Sequence, residues 1–312
     1  MHLPESALRP HLTYPALIPA IRQALCDYTS GLIIQPARTI LQIPIDAANP
    51  ASPIGWFAAM PVAHGKYIAV KNVSFFPSNA ARGLHTHHAM VELFDRATGL
   101  PLAVMDGRLI TEMRTAAVSA VACQALLPPG ASSLGIFGAG VQARSHIEAL
   151  ALVWPALNEI RVTSRSPHGA NSLIEELAPR FPQLHFLAAT PEPTAAADVV
   201  LTVTSSPTPV LEARWLQPHA LILSVGATGP TARELDSETM LSSTVIAESR
   251  ECVARESGDL ILSGARVRAE IGEILLSRIP APRSQRIVFK TVGMAIEDLT
   301  AARLAWESLR SN

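Results

Sequence analysis

Two hydrophobic rhythms divide the chain. From Gly55 to Asp106 apolar residues fall in short runs, WFAAMPVAH, YIAVKNVSFF, AMVELFD and LAVMDG, and this stretch reads as β-structure. The last two runs flank ATGLP, which predicts a hairpin with Thr98-Gly99 at its turn. Beyond Ser132 the runs become almost continuously apolar and alternate with helical stretches. Strands are expected at 134–137, 159–166, 184–187, 197–206, 220–227 and 244–249, with helices such as 170–177 between several of them. That alternation predicts a parallel sheet covered on both faces, the mark of a doubly wound α/β fold.

Helical spacing marks residues 14–28, where Leu17, Ile18, Ile21 and Leu25 share a face, Pro15 suits the first turn and Gly31 follows the end. Residues 111–127 read as another helix, stopped by Pro128-Pro129-Gly130. Residues 33–43 suggest extended chain interrupted by prolines. Near the end, a strand at 287–290 runs through Thr291-Val292-Gly293 into a helix from Met294, which is expected to return to the first domain as a tether.

The junction SSLGIFGAGVQARSHIEAL, residues 132–150, is where the chemistry begins. A short apolar strand ends at Gly138, and a helix starts a few residues on. Gly138 permits the tight turn, Gly140 lets the backbone approach a pyrophosphate, and Ala143 fills the third small position of the G-x-G-x-x-G/A fingerprint. The helix N-terminus offers N–H donors and the positive end of its dipole to the anion. In a doubly wound sheet the loops at the strand C-termini, Thr204-Ser205 and Val225-Gly226, would face the same dinucleotide.

The second strand's end bears on which dinucleotide. An acidic residue there would hold the ribose hydroxyls of NAD, whereas this chain places Ser164, Arg165 and Ser166. A cation with hydroxyls suits the 2′-phosphate of NADP, so NADPH is the expected cofactor with NADH as a possible substitute; the plainer alternative is a solvated strand end.

Composition narrows the field. At 312 residues there is room for two domains, and 48% hydrophobic residues, 16% charged residues and a net charge of −1 leave no basic footprint for nucleic acid. No apolar stretch approaches membrane-spanning length, and MHLPES carries no export signal, so a cytoplasmic protein is expected. Cys26, Cys123 and Cys252 lack metal or redox spacing and read as reduced thiols. His85, His87 and His88 have no carboxylate or cysteine nearby to complete a ligand set, so no metal is expected; a polar loop near a ligand is the better reading.

Three cations remain. Lys71 lies among apolar residues, either as a gatekeeper on an edge strand or aimed into a cleft. Arg38 is the only cation in its extended stretch, and a solvated surface position accounts for it equally well. Arg114 is placed in the first turn of the 111–127 helix, where the dipole disfavours a cation; an accompanying anion, such as a substrate carboxylate, would offset that cost.

Taken together, VKNVSFFPSN, LFDRATGLPLAVMDGRLITEMRTAAVSA, FGAGVQARSH, RELD and VFKTVGMAIEDL resemble the ornithine cyclodeaminase/mu-crystallin family over nearly the whole chain. The resemblance implies a homodimer with a Rossmann domain at 116–285 and a smaller α+β substrate-binding and dimerisation domain built from both ends, 1–115 and 286–312. It implies that Arg38, Lys71 and Arg114 hold the substrate carboxylate and its surroundings, with Lys71 and Arg114 the catalytic pair. Gly140, Gln142 and Val141 between them, Ser164, Arg165, Thr204, Val225 and Thr291 would contact the dinucleotide. His87, with Thr86 before it, and Arg114 would lie beside the cofactor.

One departure selects a branch. Cyclodeaminases of this family carry an aspartate after the fifth strand as acid/base, and the matching residue here is Thr228, with the next carboxylate only at Glu234. A threonine cannot shuttle protons at neutral pH. The expected activity is therefore the reductase one, hydride transfer to a cyclic ketimine carboxylate (Δ1-pyrroline-2-carboxylate or Δ1-piperideine-2-carboxylate) giving L-proline or L-pipecolate. The alternatives are an ornithine cyclodeaminase with bound NAD, an alanine-dehydrogenase-like enzyme, and a small-molecule binding protein without turnover.

Overall fold

The computed structural model describes residues 1–46, 48, 49, 52 and 54–311. The chain divides into two units, Met1–Arg114 with Met294–Asn312, and Thr115–Gly293.

In the first unit, β1 (His2–Leu3), α1 (Glu5–Leu8) and α2 (Tyr14–Thr29) precede the strands β2 (Thr39–Pro44), β3 (Ile54–His64), β4 (Tyr67–Phe75), β5 (His87–Asp95) and β6 (Pro101–Asp106). They form a six-stranded sheet in the order β1-β6-β5-β4-β3-β2, antiparallel except for the short parallel pairing of β1 with β6. The β-structure expected between Gly55 and Asp106 is found as the strands β3 to β6. Ala58, Met60 and Val62 on β3, Ala69 and Val73 on β4, and Val91 and Leu93 on β5 all point inward and are buried. Gly99 closes the β5–β6 hairpin at φ +73°, a conformation that favours glycine.

Helix α3 (Gly107–Leu126) carries the chain across the unit boundary. The second unit then alternates β7 (Ser133–Phe137), α4 (Val141–Val153), β8 (Glu159–Thr163), α5 (Pro167–Leu177), β9 (His185–Ala188), α6 (Pro191–Ala195), β10 (Val199–Thr202) and β11 (Leu221–Ser224). It continues through α7 (Ser237–Leu241), β12 (Thr244–Ala247), α8 (Arg250–Glu256), α9 (Gly258–Ser263), β13 (Val267–Glu270), α10 (Ile271–Leu275) and β14 (Ile287–Lys290). All eight strands are parallel, in the order β13-β12-β14-β11-β10-β7-β8-β9. The doubly wound α/β class expected from the rhythm is the class found. Helix α11 (Ala295–Ser311) belongs to the first unit, where it packs on α2 and across β3, β4 and β5.

The sheet departs from the sequence reading at two strands. β14, expected beside the terminal helix in the smaller domain, lies inside the parallel sheet between β11 and β12. Its four residues are all buried, as in a strand of a parallel sheet covered on both faces. β13 was not anticipated, because Val-Arg-Ala-Glu is too short and polar to stand out as a buried strand. Among the described residues no helix is long and apolar enough to cross a membrane.

Candidate active site

In the first unit, β4 turns every second side chain toward the core, and Lys71 falls on that face between Ala69 and Val73. The strand is paired on both sides, so the edge-gatekeeper reading of Lys71 does not hold. Its ammonium is buried and pairs with Asp298 of α11, at 3.0 Å from Oδ1 and 2.8 Å from Oδ2. Arg114 meets the same carboxylate, its Nε donating to Asp298 Oδ1 at 3.2 Å, while Nη1 donates to Glu297 Oε2 at 2.7 Å. Asp298 therefore joins both cations, and Glu297 fixes the plane of a guanidinium that carries five donors.

Arg114 does not lie at a helix end. Asp106 accepts bonds from the N–H groups of Arg108 and Leu109, and α3 starts at Gly107, a full turn earlier than expected. Arg114 thus sits two turns inside the helix, where the dipole has little hold on it, and two protein carboxylates offset its charge.

Burial is the first cause that pushes the Lys71 pKa down, to about 8. Asp298 opposes the fall, while the charges of Arg114 and Arg38 add to it. Arg38, half-buried just before β2, is therefore close enough for its charge to be felt at Lys71. His87, at the start of β5, stacks at 4.4 Å on Phe75 and meets the Thr86 hydroxyl at 3.3 Å. By surface area His87 is exposed, yet its imidazole is crowded; loss of water and then the Lys71 charge push its pKa down, to about 4. Among the described residues no group of histidine, cysteine and carboxylate side chains is arranged to hold a metal ion.

In the second unit, the candidate cofactor residues gather at the C-terminal ends of neighbouring strands. Gly138 follows β7 at φ +113°, and a Cβ there would lie 2.7 Å from the Val203 carbonyl. Gly140 is the N-cap of α4 and has no side-chain cap. A Cβ on Gly140 would meet nothing within 4 Å, so the space around the uncapped start of α4 is open. That bare approach fits the pyrophosphate cradle expected of the fingerprint. At the end of β8, Ser164 Oγ donates to the Ser166 carbonyl at 2.7 Å and Ser166 Oγ caps α5 by accepting from Gly169 N. Both hydroxyls thus shape the loop that presents exposed Arg165.

Thr204-Ser205 follow β10, Val225-Gly226 follow β11, and Thr291 follows β14. Thr291 gives its hydroxyl to buried Glu248, which also accepts from the N–H groups of Val292 and Gly293, at 2.6 Å each. Glu234 is not a replacement for the missing aspartate. It is fully buried and receives hydrogen bonds from the loops after β10 and β11, whereas Thr228 is exposed. Sequence reasoning missed Asp298, Glu297 and Glu248. The first two stand in VGMAIEDL, where an acidic pair inside an otherwise apolar helix start was the available signal.

The sequence pattern that defines the ornithine cyclodeaminase/mu-crystallin family matches residues 4–312. The chain is 38% identical over 300 residues to mouse ketimine reductase mu-crystallin, covering 95% of this chain and 92% of the relative. It is 33% identical over 300 residues to the Delta(1)-pyrroline-2-carboxylate/Delta(1)-piperideine-2-carboxylate reductase of Azospirillum brasilense, covering 96% and 92%. Among solved structures it superposes on Thermococcus litoralis Delta(1)-pyrroline-2-carboxylate reductase, determined with NADH and L-proline, with a TM-score of 0.92 at 32% identity, covering 100% of this chain and 98% of the other.

Proposed function

The chain belongs to the ornithine cyclodeaminase/mu-crystallin family, and from that premise we propose that it is a reductase of cyclic ketimine carboxylates. Its substrate is Δ1-pyrroline-2-carboxylate or its six-membered homologue, its product L-proline or L-pipecolate, and its preferred cofactor NADPH. The relatives' names support the reaction class. The observation that carries the reading is the buried assembly of Lys71 and Arg114 on one shared carboxylate, Asp298.

The nicotinamide dinucleotide, when bound, supplies the hydride. The Gly138–Gln142 turn receives its pyrophosphate, and Arg165 receives the 2′-phosphate. Arg114, held in one orientation by Glu297 and Asp298, binds the substrate carboxylate together with Arg38 and so fixes the plane of the ring. A ketimine accepts hydride more readily when its nitrogen is protonated. Lys71 holds the proton for that nitrogen, and its lowered pKa keeps the ammonium acidic enough to give the proton up near neutral pH. Asp298 keeps Lys71 in place through the transfer. Thr228 supplies no acid/base for ammonia release, which favours reduction over the cyclodeaminase reaction.

We further read the protein as a cytoplasmic homodimer, a state that sedimentation would test. Cys26, Cys123 and Cys252 as free thiols support the compartment, burial pushing Cys123 up to about 12. The deciding experiment follows NADPH oxidation with Δ1-pyrroline-2-carboxylate, Δ1-piperideine-2-carboxylate, and pyruvate plus ammonia, and ammonia release from ornithine. Turnover of the cyclic ketimines at the highest kcat/KM is expected; faster turnover of pyruvate plus ammonia, or none of any substrate, would replace this reading.

A further inference from the structure

The proposed reaction gives no role to one buried carboxylate of the second unit that gathers four hydrogen-bond donors. Glu234 Oε1 accepts from Thr204 N at 2.6 Å. Its Oε2 accepts from Thr202 Oγ1 at 2.8 Å, Gly226 N at 2.8 Å and Ala227 N at 3.1 Å. The three main-chain donors come from the loops that leave β10 and β11, and Thr202 is the last residue of β10. A Cβ on Gly226 would lie 2.6 Å from Glu234 Oε1, so the glycine is what lets the second loop close over the carboxylate. Glu234 is itself anchored: its own N–H and that of Leu235 donate to Asp259 Oδ1 at 2.8 and 2.9 Å, and Lys290 pairs with Asp259 Oδ2 at 2.9 Å. Lys290 also donates to the Ala227 carbonyl at 3.0 Å, so the second loop is held from two directions.

The strand order says which part of a dinucleotide those loops serve. β8, with Arg165 at its end, lies on one side of the β7 fingerprint strand, and β10 and β11 lie on the other. A dinucleotide crossing the switch point between β7 and β10 puts its adenosine half on the β8 side and its nicotinamide half on the β10–β11 side. We infer that Glu234 is a positioning residue for the nicotinamide half: it ties the Thr204 loop to the Gly226 loop so that their backbones present one fixed surface to the ring. This rests on the dinucleotide reading proposed above and adds to it a division of labour within the sheet.

Burial pushes the Glu234 carboxyl up, against the pull of Lys290 and of the bonds from Thr204. Four donors nonetheless call for the acceptor-only ionised form. A glutamine at this position keeps the shape but turns an NH2 toward donors, and the two loops lose their common anchor.

The test compares two ligands by direct binding, NADPH and 2′-phospho-ADP-ribose, which lacks nicotinamide. Wild type should bind both. For Glu234→Gln the expected outcome is a loss of about tenfold or more for NADPH and a change within about twofold for the fragment. Should that variant fail to fold by circular dichroism, Thr202→Val removes one donor while keeping the carboxylate, and should weaken NADPH by about threefold with the fragment unchanged. Equal losses for both ligands would make Glu234 a support of the whole sheet edge, and no loss for either would make it idle; each outcome overturns the inference. The same comparison is run with NADH and ADP-ribose, and wild type binding none of the four ligands would overturn the dinucleotide reading itself.

Discussion

Each unit of this protein buries a charge cluster, and the two clusters are wired differently. In the first unit the carboxylates of Glu297 and Asp298 accept from cationic side chains, Lys71 and Arg114. In the second, Glu234, Asp259 and Glu248 accept chiefly from backbone N–H groups at the ends of strands, with Lys290 as the one ammonium among them. The first arrangement aims two charged side chains, whose orientation and proton content would carry the proposed reduction. The second aims stretches of main chain, whose shape is the product.

The comparison makes predictions that separate the two clusters. Breaking the first should act on turnover, most of all at Arg114. Arg114→Ala leaves Glu297 and Asp298 short of a buried partner, at about 3–5 kcal/mol of stability. It should also lower kcat/KM for the ketimine by about a thousandfold, through lost orientation as well as lost binding. Arg114→Lys keeps the charge without the planar fork and should stay impaired. NADPH affinity should change little in either variant. If both reduce ketimines at wild-type rates, the carboxylate clamp is in the wrong place.

The next effect belongs to Lys71. With its pKa lowered to about 8, the ammonium is present below that pH and lost as pH rises through it. Reduction should therefore be flat below about 8 and fall by about tenfold per pH unit above it, since the protonated form is the donor. Lys71→Met should lower the rate by about a hundredfold and remove that limb of the profile. A falling limb that persists in the variant would assign the titration to another group.

Smaller effects test the recognition side. Arg165→Ala should weaken NADPH by roughly ten- to a hundredfold while leaving NADH nearly unchanged, the loss of one charge-assisted contact. Losses of the same size for both cofactors would remove Arg165 from the 2′-phosphate. Least of all, Thr228→Asp should bring a trace of ammonia release from ornithine, with wild type giving none. Ammonia from wild type would put the lyase reaction back in place of the reductase.

Legibility from sequence followed the range of the contacts involved. The β7–α4 turn, the β5–β6 hairpin and the strands around them depend on neighbours along the chain, and the residues that build them stand together in the text. The start of α3 was misplaced because Asp106 reads as the end of a strand, and its capping role shows only once the N–H groups of Arg108 and Leu109 are seen to reach it. That shift moves Arg114 from a helix end to a helix interior, so the dipole argument that singles it out in the sequence does not apply in the fold. Asp298 lies 227 positions from Lys71, and no spacing rule links them. β14 was legible as a strand and not as an inner one, because the apolar run Ile287–Phe289 says that both faces are covered and nothing of which strands lie along its edges.

The placement of β14 also sets an order of events during synthesis. It enters the sheet between β11 and β12, both of which leave the ribosome well before it. Until it arrives, β11 and β12 expose edges ready to pair with the wrong partner, the condition under which slow parallel sheets aggregate. Helix α11, which follows directly, carries the carboxylates that neutralise Lys71 and Arg114 in the other unit. Neither unit can finish folding until the ribosome has released residues 287–311, and a stalled or clipped chain lacking that tail would leave both units open at once.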